Sequence, residues 1–119
     1  MYFSYYFHAS TRVAYCIANE PLRIDAVRIC SEALTADGTN HITLTVAAGG
    51  STIATRTTNS GASGTSLVAD TQESLTLTNQ DKLHLAAGDV IKITYTVGGT
   101  VSSTDFSVNI PCTLARDFS

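Results

Sequence analysis

The sequence predicts an all-β fold, a sandwich of seven or eight short antiparallel strands, on three observations. Thr (18) and Ser (12) make up a quarter of the 119 residues while charged residues are 14%, a composition that suits pleated, half-wetted surfaces. From Thr11 onward apolar residues recur at period two, and turn residues interrupt them every eight to twelve positions. No segment sustains a helical period, and no internal repeat or second domain is evident. A single domain of this length removes roughly two-thirds of its unfolded surface from water, enough to fold alone.

The elements follow in order. Val13, Tyr15 and Ile17 alternate with Arg12, Ala14 and Cys16 until Asn19-Glu20-Pro21 breaks the run. Leu22, Ile24 and Ala26 then share one phase while Val27 and Ile29 take the other, which predicts a bulge near Ala26 in one long strand. Ala36 to Asn40 is a turn, after which Ile42, Leu44 and Val46 face in and His41, Thr43 and Thr45 face out. Ala48-Gly49-Gly50 closes that hairpin onto a Thr-rich strand around Ile53, and Asn59 to Gly64 is a surface loop. Leu67-Val68 and Leu75/Leu77 mark two short strands, and Leu83 and Leu85 lead into the turn Ala86-Ala87-Gly88-Asp89. Ile91, Ile93, Tyr95 and Val97 point one way on the strongest strand, and Gly98-Gly99 turns the chain. Phe106, Val108, Ile110, Cys112 and Leu114 form the last strand; Pro111, outward on it and unable to donate to a ladder, implies an edge position or a bulge.

The residue types that carry chemistry are present but not assembled. His8, His41 and His84 have no His, Cys or carboxylate at a metal-site spacing, so they are expected to be solvated strand residues. Cys112 is inward and acts as a small hydrophobe. Cys16 and Cys30 are expected at outward or boundary positions without a basic cluster to activate them. Three cysteines form neither a disulfide framework nor a zinc knuckle, and reduced thiols in an intracellular compartment fit best. Carboxylates such as Asp25, Glu32, Asp37, Asp70, Asp89, Asp105 and Asp117 sit in turns or at strand ends, where Asp caps its own backbone. No enzymatic constellation, cofactor or metal is expected. A net charge of −3 with scattered basic residues leaves no footprint for nucleic acid. No stretch reaches the roughly 18 apolar residues of a membrane span, and the first ten residues lack the basic start and cleavage site of a signal peptide.

Five of the nine aromatic residues, Tyr2, Phe3, Tyr5, Tyr6 and Phe7, stand in the first ten positions. Two expectations compete for them. The favoured one makes residues 1–10 an aromatic N-terminal arm ahead of a single domain at 11–119, its rings anchored on a partner or a sister subunit. The other makes them a first edge strand of the domain itself.

The phrases LRIDAVRICSEALTADGTNHITLTVAAGG and LHLAAGDVIKITYTVGGTVSSTDFSVNIPCTLAR, with a Ser/Gly/Thr-rich stretch between them, resemble small jelly-roll decoration, or cement, proteins of tailed bacteriophage capsids. The resemblance covers Val13 to Arg116. It implies a jelly-roll domain that is made in the host cytoplasm and binds the major capsid protein on the outside of the shell. There such a protein acts as a homo-oligomer, often a trimer, and reinforces the shell without catalysis. The aromatic start and three cysteines depart from that pattern. A carbohydrate- or receptor-binding module displayed on a virion or fibre is the alternative, which the absence of Trp disfavours.

Overall fold

The computed structural model describes residues 2–8, 10–101 and 105–115; Asp117, expected in a turn or at a strand end, lies outside them. The described residues form ten strands: β1 (Tyr2–His8), β2 (Arg12–Ile17), β3 (Leu22–Ile24), β4 (Arg28–Ser31), β5 (His41–Ala48), β6 (Ser51–Thr57), β7 (Glu73–Ser74), β8 (His84–Leu85), β9 (Val90–Gly98) and β10 (Asp105–Leu114). All pair antiparallel, and the pairs nest. β1 joins β10, β2 joins β9, β3 and β4 join β8 and β7, and β5 joins β6. Rolled up, this long hairpin gives two facing sheets, the jelly-roll arrangement. Sheet I runs β1, β10, then β3 and β4 end to end, then β8 and β7; sheet II runs β2, β9, β5, β6.

The predicted bulge is present. Ile24 lies opposite Cys112 but Arg28 lies opposite Asn109, so four steps along one strand match three along the other. The phase flips across it: Leu22 and Ile24 are buried before it, Val27 and Ile29 after it. Pro111 sits opposite this bulge and not on an edge strand. It needs no partner for a missing N–H, and its carbonyl accepts from the Asp25 N–H at 2.9 Å. Gly49 and Gly50 close the β5–β6 hairpin at φ of 56° and 84°, the doubly positive turn that matches strand twist. Leu67 contributes one isolated bridge to Leu34, and the Leu75/Leu77 stretch forms a strand only at Glu73–Ser74.

Two expectations change. Of the segment expected as an arm, Tyr2 to His8 are paired along β10, from Tyr2 opposite Pro111 to His8 opposite Asp105. In β2 it is Ala14, Cys16 and Ala18 that face the interior, and Cys16 is buried, not outward or at a boundary. The cause is volume. Phe3, Tyr5 and Phe7 on β1 point into the space between the sheets, so β2 beside them has room only for small side chains. Its large residues, Val13, Tyr15 and Ile17, turn outward.

At the core, Phe7 stacks on Tyr95 with ring centroids 5.0 Å apart, and Tyr95 meets Phe106 at 5.5 Å. Ile42, Leu44, Val46, Ile91, Ile93, Val108 and Ile110 complete it. Thr58 is buried but satisfied: its hydroxyl accepts from the Ile42 N–H at 3.0 Å, and its own N–H donates to the Ile42 carbonyl at 3.0 Å.

Candidate interaction surface

Strand alternation divides the five N-terminal rings. Tyr2 and Tyr6 stand 67% and 60% exposed on the outside of sheet I, whereas Phe3, Tyr5 and Phe7 turn inward and Phe7 is buried. Tyr5 donates its hydroxyl to the Tyr15 carbonyl at 2.9 Å, tying β1 to β2 across the margin of the sandwich. Interaction with the Cys16 side chain, together with burial, pushes that hydroxyl up to about 12. On the outer face, Tyr6 donates its hydroxyl to Asp105 Oδ1 at 2.5 Å, and His8 Nδ1 meets the same oxygen at 2.5 Å. The hydrogen bonds from Tyr6 and then His8 hold the Asp105 carboxyl below the usual carboxylate range. The expected contact residues thus separate into three that secure β1 to the domain and two that remain on the surface.

Sheet II presents a different exterior. Its cross-strand registers stack Thr96, Thr43 and Thr57 in one row and Val13, Thr94, Thr45 and Thr55 in the next. The Thr43 and Thr57 hydroxyls are 2.9 Å apart. Along the β2 margin, Val13, Tyr15, Ile17 and Val90 are exposed. Lys92 carries its ammonium 5.9 Å from the centroid of the Tyr15 ring. A shallow hollow of about 430 Å³ opens here, lined by Tyr15, Thr45, Ala47, Gly50, Val90, Lys92 and Thr94. None of the ten Asp and Glu residues of this acidic chain lies in the four strands of sheet II. Nothing on this exterior repels an apolar or weakly acidic partner. Sequence inspection missed the surface although one signal was available: residues 12–17, 41–48, 51–57 and 90–98 carry no carboxylate.

The exterior of sheet I is charged and internally paired. Arg23 Nε donates to Asp25 Oδ1 at 2.9 Å, and the Thr113 hydroxyl donates to Asp25 Oδ2 at 2.6 Å. A hollow of about 330 Å³ is lined by Arg28, Ile29, Cys30, Asp70, Gln72, Ser107 and Asn109. Cys30 is exposed, Cys16 and Cys112 are buried, and all three thiols are free. Burial, and then the nearby Asp25 carboxylate, push the Cys112 thiol up to about 11. Turn carboxylates cap backbone as expected: Asp37 Oδ2 accepts from the Thr39 N–H at 3.0 Å, and Asp89 Oδ2 from the Ala86 N–H at 2.8 Å. Among the described residues, no group of three or more His, Cys, Asp and Glu side chains is gathered to hold a metal ion. No helix among them is long and apolar enough to cross a membrane.

Fold and surface together define a class: an all-β jelly-roll sandwich that presents one flat, carboxylate-free sheet with an apolar margin. No family model matches the chain, and no curated protein does. Among solved structures it is similar to a chain of the "Structure of infectious bursal disease virus Gx strain", at 14% identity and a TM-score of 0.38. The match covers 98% of this chain and 30% of that one, so the protein spans less than a third of its length.

Proposed function

We propose that this protein is a non-catalytic structural component of a virion: a decoration, or cement, subunit that binds the major capsid protein on the outer surface of a phage shell. The observation that carries the proposal is the exterior of sheet II, a carboxylate-free surface of cross-strand threonine rows and Lys92, bordered by an apolar margin. The sequence phrases resembling cement proteins support it. In this fold ALTADGT leads into β5, and AGDVI is the turn that opens β9. Tyr2 and Tyr6 add exposed rings on the opposite face. Acting as a homo-oligomer, with a trimer as the arity the resemblance implies, the subunit joins neighbouring capsid proteins by several weak contacts. Each contact raises the effective concentration of the others and opposes shell expansion.

Cosedimentation tests this. The purified protein, mixed with shells assembled from the major capsid protein of its own genome, is expected to pellet with them and raise their rupture temperature. Recovery of all the protein in the supernatant would sink the proposal.

One observation favours the second possibility, a carbohydrate-binding module. The Tyr15 ring, the Lys92 ammonium and the hydroxyls of Thr45 and Thr94 surround one hollow, a set that offers a stacking face and polar partners to a sugar ring. Selective glycan-array binding, abolished by Tyr15→Ala, would promote this function over the first.

A further inference from the structure

We propose that copies of this chain associate with one another along β2, so that the strip Val13, Tyr15, Ile17 and Val90 is covered by a second copy. This rests on the homo-oligomer of the proposed function and names the surface that makes it.

The two margins of the sandwich are built differently. At the β6 margin the strand is bulged: Val46 faces Ala54 but Ala47 faces Thr52, which leaves Ile53 extra. Its backbone is also covered. The Thr52 carbonyl accepts from Asn79 Nδ2 at 2.7 Å, and the Ile53 carbonyl from the Thr78 N–H at 2.8 Å. Arg56 donates to the Thr65 and Ser66 carbonyls and so straps a loop beside the strand. In sheet I, the strands at the same margin, β7 and β8, are two residues each. Short, bulged and covered edges are how native sheets avoid pairing with other chains.

The opposite margin has fewer of these devices: on β2 the Tyr15 carbonyl accepts the Tyr5 hydroxyl at 2.9 Å. β1 and β2 run seven and six residues in unbroken register, each hydrogen-bonded to one neighbour only, without proline or bulge. β2 additionally carries three large apolar side chains on its outward face, 45 to 60% exposed. A second copy is the occupant that the charge pattern fits. Identical copies of a chain with net charge −3 repel chiefly through their carboxylates, and sheet II strands hold none, so two such margins meet free of that repulsion, with Arg12 and Lys92 as the charges they carry. The size also fits. Val13, Tyr15, Ile17 and Val90 expose roughly 400 Å², about half of the ~800 Å² that each partner buries in a stable interface. The unpaired backbone of β2 and the walls of the adjoining hollow supply more.

Sedimentation velocity on the full chain over a wide concentration range, with no shell present, tests the surface apart from the shell-binding function. The wild type is expected to form a species of several 12.6 kDa chains. In the double variant Tyr15→Lys, Ile17→Lys that association is expected to weaken by at least about tenfold at unchanged far-UV circular dichroism and Tm. Hydrogen exchange on the unmodified protein covers the case of a misfolded variant: amides of β2 gain protection with rising concentration while those of β6 do not. A wild type that stays monomeric throughout, a folded double variant that associates like the wild type, or protection gained on another strand in place of β2 would overturn the proposal. Association through β2 without cosedimentation would overturn the shell function alone.

Discussion

Phe7 lies flat against Tyr95, ring centroids 5.0 Å apart and planes within 8° of parallel. One residue comes from the first strand and the other from the ninth, on opposite sheets, so this contact holds the two layers together where β1 and β9 face each other across the core. Such ring pairs add about 0.5–1.5 kcal/mol beyond the area they bury.

Phe7→Ala is therefore expected to lower unfolding free energy by about 3–5 kcal/mol, the range for truncating a buried aromatic. Urea denaturation measures it. A loss under about 1 kcal/mol would mean that β1 is not part of the cooperative core and behaves as a detachable arm.

Tyr95 raises the opposite expectation. It is fully buried, and its hydroxyl has no hydrogen-bond partner among the described residues. An unsatisfied buried hydroxyl carries a desolvation cost of about 1–3 kcal/mol, so Tyr95→Phe keeps the ring stacking and is expected to leave the protein as stable or more so. A clear drop in Cm would show that the hydroxyl has a partner in solution.

Alkaline titration reads the same environment. Burial pushes Tyr95 up to about 12, and Tyr5 reaches about 12 through its Cys16 contact and burial. Ultraviolet titration should show these two ionising after the exposed tyrosines. Because the unfolded chain loses these protons near the ordinary value of about 10 and the folded one does not, their contribution to stability is intact below that pH. It is lost as pH rises from there towards 12.

The end of β1 responds to acid instead. Asp105, facing Tyr6, His8 and Glu32, has its carboxyl held low by the Tyr6 and His8 hydrogen bonds. The contribution is present above the ordinary carboxyl value of about 3.9 and lost as pH falls through the depressed one. Amide protection factors at Tyr6 to His8 should fall over that acid range in the wild type. Asp105→Asn should already show fast exchange at neutral pH, and equal rates in the two proteins would remove Asp105 from this role.

Thiol chemistry should single out one cysteine. Cys30 is exposed while Cys16 and Cys112 are buried, with burial as the main force raising both of their thiols. Ellman's reagent is expected to titrate one equivalent in the native protein and all three after denaturation. A native count of two or three would indicate that β2 or the end of β10 opens readily.

Much of this architecture was legible in the chain. The bulge near Ala26 announced itself because two runs of apolar residues changed phase, and only an inserted residue reconciles them. The inward faces of β5, β9 and β10 followed from alternation over many residues. The phase of β2 did not, because it depends on a neighbour: the rings of β1 fill the interior, and the larger residues of β2 are displaced outward. The same error concealed the exposed strip. β1 did carry the needed signal, since Ser4 and His8 share one phase while Phe3, Tyr5 and Phe7 share the other, but aromatic Tyr2 and Tyr6 in the outward phase masked it. β7 and β8 were indistinct because two-residue strands have no period to detect.

The pairing of β1 with β10 also sets a schedule for the chain as it is made. Tyr2 to His8 leave the ribosome about a hundred residues ahead of their partners at Asp105 to Pro111, an interval of roughly 5–20 s at ordinary synthesis rates. Throughout that time the three rings destined for the interior are without their strand. The nascent protein is thus vulnerable to aggregation at β1 until β10 emerges, and chaperones have those rings to shield.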